Sequence, residues 1–312
     1  MRPRPAEPRT SIVSFVTLVA SVFVCFVASV VVASVAAQSF RARVDIVQVT
    51  VTVTDASGRL ITGLTRNDFQ VFEDGKEETI TQFTDERVPV SLGILLDASD
   101  SMRGQPMEDA RGAVDRFVGD LLLAEDEALV ASFNHRPRLA APWTMPPSAL
   151  RNALAGLKPS GGTAIYDSLA EMAEMYQKRH HVRAALVVIS DGADTASDRS
   201  LLQTLEAIRR SDALVYAIAI DSAEARESTR VNPEALREIT GLTGGYTEVV
   251  KSAAEVGPAT ARIADELNKQ YTLGYSSSRP PDRSWRAIRV RVSTNGYLAR
   301  ARRGYYAVPK AR

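Results

Sequence analysis

Five side chains with oxygen donors lie in three separate segments of this 312-residue sequence, and no other set in it has such specific chemistry. They are Asp97, Ser99, Ser101, Thr163 and Asp191. Three hydroxyls and two carboxylates make an all-oxygen set, which suits a hard divalent cation and suits zinc or copper poorly. The sequence therefore predicts a divalent-cation site, with Mg²⁺ preferred and Mn²⁺ or Ca²⁺ compatible, if one fold brings the three segments together.

A stretch of alternating strands and helices, from about 87 to 270, must position these side chains. Near-continuous apolar runs predict buried strands at 88–96, 128–133, 184–189 and 214–220. Amphipathic patterns predict helices at 107–123, 148–157, 163–178 and 200–210. This alternation indicates an α/β fold with a doubly wound, mostly parallel sheet. Ligands of such sheets bind beyond the carboxyl ends of the strands, where the strand order reverses, and both Asp97 and Asp191 follow predicted strands.

The pattern Asp-x-Ser-x-Ser at 97–101, with the distal Thr163 and Asp191, resembles the metal-ion-dependent adhesion site of von Willebrand factor type A domains. The predicted order of strands and helices over about 87–270 is similar to that family as well. The whole chain looks like the exported bacterial proteins related to it. The resemblance implies a Rossmann-like domain over 87–270 with its metal site at the rim of the sheet.

The resemblance also implies roles for the five residues. Ser99, Ser101 and Thr163 would be the metal ligands, directly or through water, and Asp97 and Asp191 their acidic supports. A divalent cation surrounded largely by neutral hydroxyls keeps positive charge and an open position, so an incoming carboxylate completes both. The expected function is therefore adhesion, through an Asp or Glu of a protein partner or through an acidic saccharide.

Two further acidic residues are candidate accessory groups near the metal. Asp100 stands where many members of the family have a glycine in a left-handed conformation, which Asp tolerates better than most residues. It would bring another carboxylate towards the metal. Asp194 follows Asp191 closely, together with Thr195 and Asp198, and capping of the next helix is the preferred interpretation of these three residues.

Two other functions stay open at this point. Asp97 at a strand end could accept a phosphoryl group beside a metal held by Asp191. Against this, the second carboxylate that usually follows such a nucleophile two residues later is Ser99 here. Because the usual hydrolase and nucleotide-binding motifs are also missing from the sequence, we do not expect an enzyme. The other alternative is an exported envelope scaffold in which the metal only stabilises the rim.

The N-terminal region predicts export. Three arginines precede an apolar run at 12–37 that is broken only by Ser and Thr, so we predict that residues 1–37 are a cleaved signal peptide or a transmembrane anchor. The small residues at 35–37 resemble a cleavage site, whereas the length of the run favours an anchor. In both cases the bulk of the chain is expected outside the cytoplasm, as a periplasmic, secreted or membrane-anchored protein. Cys25, the only cysteine, lies within the run, so the rest of the chain forms no internal disulfide.

Short β segments flank the α/β region on both sides. Residues 38–86 and 271–312 show alternating strand patterns, and neither segment alone can bury both faces of a sheet, so we predict that they pair in one accessory β-sandwich. Asp-Gly at 74–75 and Asn-Gly at 295–296 predict hairpin turns. The second of these turns is expected to lead into a strand over 297–308.

Charge adds one possible partner class. The net charge of +1 predicts no polyanion partner for the chain as a whole, and nucleic acid is not expected for an exported protein. After Asp282, however, the chain has no acidic residue and many arginines. These basic strands are interpreted as a solvated face, with attraction to an anionic envelope polymer or to lipid headgroups as the alternative.

Overall fold

The computed structural model describes residues 46–144, 147–221 and 231–309. The predicted export segment 1–37, including Cys25, lies outside the described residues. The described residues, from Ile46 onward, belong to one compact unit. Within the described ranges, none of the helices combines the length and the apolar character needed to cross a lipid bilayer.

The described residues alternate between strands and helices. The strands are β1 (Ile46–Thr54), β2 (Phe69–Glu73), β3 (Lys76–Glu78), β4 (Ile80–Thr84), β5 (Val90–Asp97), β6 (Glu127–Phe133), β7 (Pro137–Thr144), β8 (Arg183–Ser190), β9 (Leu214–Ile220), β10 (Thr247–Val250), β11 (Tyr271–Ser276), β12 (Trp285–Val292), β13 (Leu298–Ala301) and β14 (Gly304–Tyr306). The α-helices are α1 (Gln105–Leu121), α2 (Pro147–Ala155), α3 (Ile165–Met175), α4 (Leu201–Arg209), α5 (Pro233–Thr243) and α6 (Val256–Asn268).

Six strands form the central sheet, in the order β10-β9-β8-β5-β6-β7. Pairing is parallel from β10 through β6, and β7 adds to the edge in the antiparallel direction. The predicted doubly wound, mostly parallel sheet is therefore confirmed. Strand β7 was not predicted from the sequence, and it contains Pro137 and Pro142, a residue type that is rare inside a sheet. Proline is tolerated in β7 because it is an edge strand.

Helices cover both faces of this sheet. One face packs against α1, α2 and α6, and the other against α3, α4 and α5. Every residue of β5, β6, β8 and β9 is buried, which explains why these strands read as continuous apolar runs rather than as alternating patterns. The two covered faces fix the strand ends, and with them the loops that carry the candidate site.

The segments on either side of the central sheet form two four-stranded antiparallel sheets, which we call the outer sheets. Their strand orders are β13-β1-β11-β4 and β14-β12-β2-β3. Apolar side chains of both outer sheets join one buried cluster that includes Val49, Val71, Leu273 and Ile288. The chain passes directly from β3 to β4 and from β13 to β14. Each of these connections joins an edge strand of one outer sheet to an edge strand of the other.

The structure corrects two expectations about these strands. The Asp-Gly turn at 74–75 does join paired strands, β2 and β3. The turn at 295–296 does not, because β12 pairs with β2 and β14 while β13 pairs with β1. The predicted single strand over 297–308 is also wrong, since it breaks at Arg302 and Arg303 where the chain changes sheet. Turn residues specify a local bend, but tertiary pairing decided which sheet each strand joined.

Candidate functional site

The candidate site lies at the point where the order of the strands in the central sheet reverses. Strand β5 has β6 on one side and β8 on the other, so the strand order reverses around β5. Asp97 is the last residue of β5, Ser190 is the last residue of β8, and Asp191 follows directly. Because β5 and β8 are parallel neighbours, their carboxyl ends meet at one edge of the sheet.

Asp97 is fully buried beneath this edge, and both of its carboxylate oxygens have partners. Oδ1 accepts a hydrogen bond of 2.8 Å from the backbone N–H of Ser99. Oδ2 accepts one of 2.5 Å from the hydroxyl of Ser190. Burial and the nearby charge of Asp191 raise the pKa of Asp97, and the hydrogen bond from Ser190 opposes this rise, with a net pKa of about 7. Asp97 thus holds the Ser99 backbone rather than facing solvent.

Three side-chain oxygens converge above Asp97. The hydroxyls of Ser99 and Ser101 are 3.1 Å apart, and the hydroxyl of Ser101 donates a hydrogen bond of 2.8 Å to Oδ1 of Asp191. Ser99 is buried, whereas Ser101 is exposed. Burial raises the pKa of Asp191, although the hydrogen bond from Ser101 opposes that rise. The group therefore combines neutral hydroxyls with one partly buried carboxylate and opens to solvent at Ser101.

Thr163 lies in the loop before α3, and its hydroxyl forms no hydrogen bond with these three oxygens in the described part of the chain. Its hydroxyl lies against Gly192, since a Cβ atom at that glycine would be only 3.1 Å from Oγ1 of Thr163. The backbone N–H of Thr163 donates to the hydroxyl of Thr195 at 3.1 Å, and its carbonyl accepts from the Thr195 N–H at 2.8 Å. The structure thus places Thr163 beside the residue that follows Asp191.

The glycines before Thr163 allow its loop to approach the serines. Gly161 has a φ of +76°, a left-handed conformation that favours glycine. Its carbonyl accepts a hydrogen bond of 3.0 Å from the N–H of Asp100. This bond joins the Thr163 loop to the segment between Ser99 and Ser101.

The two accessory candidates have other partners. Asp100 is exposed and begins a 3₁₀ turn with its carboxylate on Arg103, so the expected left-handed conformation is wrong. Hydrogen bonds from Arg103 lower the pKa of Asp100. The carboxylate of Asp194 accepts from the N–H of Tyr166 in the first turn of α3, at 2.9 Å, rather than capping the next helix. Ser200 caps that helix instead.

Two further residues position the site, and neither was predicted from the sequence. Ser190 supports Asp97, and its only signal in the sequence was a serine that directly follows the apolar run at 184–189. Asn134 is buried at the end of β6, where its side-chain amide donates to the hydroxyl of Ser160 at 3.1 Å. Its carbonyl also accepts from the N–H of Ala164 at 2.6 Å. No sequence signal separated Asn134 from an ordinary turn residue.

The oxygen donors present here fit a hard divalent cation. Among the described residues, no group of three or more His, Cys, Asp and Glu side chains could hold a metal ion. A cation at this edge would therefore depend on hydroxyl oxygens in addition to carboxylates. Ser99, Ser101 and Asp191 bring such oxygens within hydrogen-bond distance of one another. An all-oxygen set of this kind fits Mg²⁺, Mn²⁺ or Ca²⁺ and fits softer metals poorly.

Comparison with known proteins identifies the central region. Residues 92–193 match the von Willebrand factor type A domain model. The "Uncharacterized protein sll0103" of Synechocystis sp. is 31% identical over 117 residues, which covers 36% of this chain and 28% of that protein. The chain thus spans little more than a quarter of the length of that relative.

Two solved structures share the fold at low sequence identity. A von Willebrand factor type A protein from Catenulispora acidiphila superposes with a TM-score of 0.51 and 12% identity, covering 83% of this chain and 73% of its own. Proximal thread matrix protein 1 from the mussel byssus has a TM-score of 0.51 and 13% identity, covering 63% of this chain and 51% of its own. At such identities the similarity shows the fold alone. Together with the family match over residues 92–193, it shows that this part of the chain is similar to a von Willebrand factor type A domain.

Proposed function

We propose that this protein is an exported binding module that holds a divalent cation, Mg²⁺ in preference to Mn²⁺ or Ca²⁺, and uses it to bind an acidic group of a protein partner. In this proposal Ser99, Ser101 and Thr163 are the ligands, and Asp97 and Asp191 support them. The observation that carries the proposal is the convergence of the Ser99, Ser101 and Asp191 side-chain oxygens at the reversal of the sheet.

The distribution of burial supports binding at this edge. Asp97, Ser99 and Thr163 are buried, so they are held in place before any partner arrives. Ser101 is exposed, and a cation beside it would be reachable from solvent. When bound, a divalent cation supplies the positive charge and the open coordination position that attract a carboxylate. The protein's own contribution is to preorganise the oxygens and to keep most of them uncharged.

The surroundings of Asp97 argue against the phosphoryl-transfer alternative. A nucleophilic carboxylate needs an oxygen that substrate can reach, whereas Asp97 is buried and both of its oxygens accept hydrogen bonds. We therefore expect no turnover of an aryl phosphate in the presence of Mg²⁺. Turnover that is lost in Asp97→Asn would show that this assignment is wrong.

Export and the accessory domain complete the proposal. We propose that residues 1–37 direct the chain out of the cytoplasm, as a cleaved signal or as an anchor. Residues 87–270 are proposed to be the metal-binding domain. Residues 38–86 and 271–312 are proposed to act together as one accessory β-sandwich, supported by their shared buried cluster.

Calorimetry tests the metal step directly. Mg²⁺, Mn²⁺ and Ca²⁺ are titrated separately into the full-length chain and into Ser101→Ala and Thr163→Ala. The proposal expects saturable uptake near one ion per chain by the wild type and strongly reduced uptake by both variants. Ser57→Ala, in an exposed turn of the outer sheets, is the matched control. Absence of uptake by folded wild-type protein would overturn the proposal.

Capture with and without metal separates adhesion from the scaffold alternative. Immobilised full-length protein is incubated with envelope extract in Mg²⁺ and eluted with EDTA, in parallel with Ser101→Ala. The binding proposal expects a partner that EDTA releases and that the variant does not retain. A partner that stays bound in EDTA, while the melting temperature falls, would instead support a metal that only stabilises the rim.

A further inference from the structure

The loops on two sides of the candidate metal site carry opposite charges. From 128 to 166 the sequence has no acidic residue, and its basic residues are Arg136, Arg138, Arg151 and Lys158. This stretch contains the β6–β7 turn and the segment that leads to Thr163. From 191 to 198, on the other side, the sequence has three aspartates and neither lysine nor arginine. The site therefore lies on a boundary between a basic and an acidic half of the rim.

Hydrogen bonds fix the basic half against the site. The N–H of Ala98, between Asp97 and Ser99, donates to the carbonyl of Phe133 at the end of β6, at 2.6 Å. Asn134, the next residue, binds both Ser160 and Ala164 on the Thr163 loop. The β6–β7 turn is thus attached to both hydroxyl-bearing loops of the site.

Three exposed cations of this half lack partners of opposite charge among the described residues. Arg136, Arg138 and Lys158 are exposed, and none of them forms an ion pair with another described residue. Arg103 and Arg151 differ, because each is paired with an aspartate. The three unpaired cations therefore leave an uncompensated positive charge beside the site.

His135 brings the basic half closest to the site. It is exposed, and its Nδ1 lies 2.9 Å from the position that a Cβ atom would take on Gly161. The carbonyl of Gly161 in turn binds the N–H of Asp100, between the two serines. The basic half, with the imidazole of His135 and the three unpaired cations, therefore begins directly beside the loop that carries Ser99 and Ser101.

The acidic half has little compensating charge. Asp198 is exposed and forms no ion pair with a described residue, and Asp194 is held by Tyr166 and Ser197. Arg199 is the nearest basic residue, and it pairs with Asp167 at 3.7 Å. Acidic side chains of a partner would be repelled on this side and attracted on the other.

We infer that the partner is an acidic peptide segment, in which the carboxylate that reaches the metal is accompanied on one side by further Asp or Glu residues that lie over His135, Arg136, Arg138 and Lys158. The inference rests on the proposed function and names the partner class for the same site. Charges at an exposed rim act mainly on partner choice and encounter, and their effect falls as salt increases.

Two synthetic peptides test the inference with the full-length chain, kept in mild non-ionic detergent because of its apolar run at 12–37. One contains a single Asp among Gly and Ser, and the other adds three Glu residues on only one side of that Asp, in versions that place them before it and after it. Binding to immobilised protein is measured in Mg²⁺ and in EDTA. The variants are Arg136→Ala/Arg138→Ala and, as a control matched in charge, Arg289→Ala/Arg291→Ala on the exposed face of β12.

The inference expects Mg²⁺-dependent binding of both peptides, with a preference of about fivefold or more for the acidic one at low salt, in line with exposed charge pairs. This preference should disappear in Arg136→Ala/Arg138→Ala and persist in the control. Mg²⁺-dependent binding without a preference, or an equal loss in the control, would overturn the inference and leave the proposed function standing. Absence of any Mg²⁺-dependent binding would overturn both, and binding of the acidic peptide that survives EDTA would show non-specific charge attraction.

Discussion

The hydroxyl of Ser190 donates a hydrogen bond of 2.5 Å to Oδ2 of Asp97, and this bond joins the ends of the neighbouring strands β8 and β5 beneath the candidate metal site. We predict that Ser190→Ala destabilises the protein by about 1–3 kcal/mol, because it leaves a buried carboxylate oxygen without its partner. Urea unfolding in EDTA measures this loss. The same change should weaken Mg²⁺ uptake, because Asp97 also fixes the backbone of Ser99.

Ser57→Ala provides the comparison for this measurement. Ser57 also donates its hydroxyl to an aspartate, Asp55, at 2.6 Å, but in an exposed turn. Its loss should change the free energy of unfolding by less than about 0.5 kcal/mol, as is usual for surface substitutions. Equal effects of the two substitutions would show that burial of the Asp97 carboxylate does not increase the loss of unfolding free energy when its hydrogen bond is removed.

A second prediction concerns the middle of β5. The hydroxyl of the buried Tyr176 donates to the carbonyl of Ala185 and occupies the space that a methyl group at Gly93 would need. Gly93→Ala should therefore destabilise the protein by about 1–3 kcal/mol, the range for overpacking of a buried site. The free energy of unfolding in urea measures this loss.

A double-mutant cycle identifies the cause of that loss. Tyr176→Phe removes the hydroxyl, so Gly93→Ala should cost at least about 1 kcal/mol less in that background than in the wild type. Strict additivity of the two substitutions would contradict the steric explanation, since it would mean that the new methyl group and the hydroxyl do not meet.

Metal binding should increase the stability of the folded protein and so raise its melting temperature. A ligand that binds only the folded state at 100 times its dissociation constant stabilises that state by about 2.7 kcal/mol. For a domain of this size such a gain raises the melting temperature by about 5–10 °C. We predict this rise on adding Mg²⁺ to wild-type protein and its loss in Ser99→Ala. A rise that persists in the variant would place the ion elsewhere in the molecule.

The sequence predicted the central sheet better than the outer ones, for a physical reason. Strands such as β8 are buried on both faces, so each appears in the sequence as a continuous apolar run that can be recognised without knowing its partners. The amphipathic helices on either side of each run make the pattern clearer. The carboxyl ends of the strands that carry Asp97 and Ser190 could therefore be predicted to lie at the same edge of the central sheet. In the outer sheets, β12 and β13 flank a favourable turn and still join different sheets. That choice depends on distant partners that no local pattern records.

Within the site, residue types were easier to predict than contacts. The position of Ser99 and Ser101 just after a predicted strand led us to expect that their hydroxyls meet at its end, and their oxygens are 3.1 Å apart. The partners of Asp100 and Asp194 were not predictable, because Arg103 and the first turn of α3 compete for these carboxylates only in the folded chain. Short polar side chains bond wherever the backbone places a donor.

A buried carboxylate makes the outer sheets sensitive to acid. Burial alone would raise the pKa of Glu73, but hydrogen bonds from Ser277, Tyr275 and Tyr305, together with the charge of Arg286, lower it below its ordinary value of 4.5. The unfolded chain then takes up the proton first as pH falls. The stability contributed by Glu73 is complete above pH 4.5 and is lost as the pH falls through the lower, folded value.

Glu73→Gln tests this pH dependence. At pH 7 the substitution should cost about 3 kcal/mol, because it removes the buried one of the two carboxylates that pair with the buried Arg286, and leaves only the half-exposed Asp282. Between pH 5 and 3 the free energy of unfolding of the variant should fall less steeply than that of the wild type. Parallel slopes in urea titrations across this range would assign the acid sensitivity to other carboxylates.

The last prediction concerns the contact between the outer sheets and the central domain. The carboxylate of Glu266 in α6 accepts hydrogen bonds from Thr52 of β1 at 3.0 Å and from Tyr216 of β9 at 2.8 Å, and it pairs with Arg300 of β13. One buried group thus links three strands from two parts of the chain. Because losing it would leave partners on both sides unpaired, we expect the two parts to unfold together in the wild type.

The two tryptophans provide one fluorescence reporter in each part. Trp143 lies in the central sheet, whereas Trp285 lies in an outer sheet with its ring against Arg209 of α4, so it reports on that sheet and on its contact with the central domain. Trp143→Phe and Trp285→Phe leave one reporter each. Their fluorescence transitions in urea should coincide. Glu266→Ala should lower both midpoints and separate them, whereas Glu255→Ala, at an exposed position just before α6, should leave them together. Separate transitions in the otherwise wild-type chain would show that the outer sheets and the central domain are energetically independent.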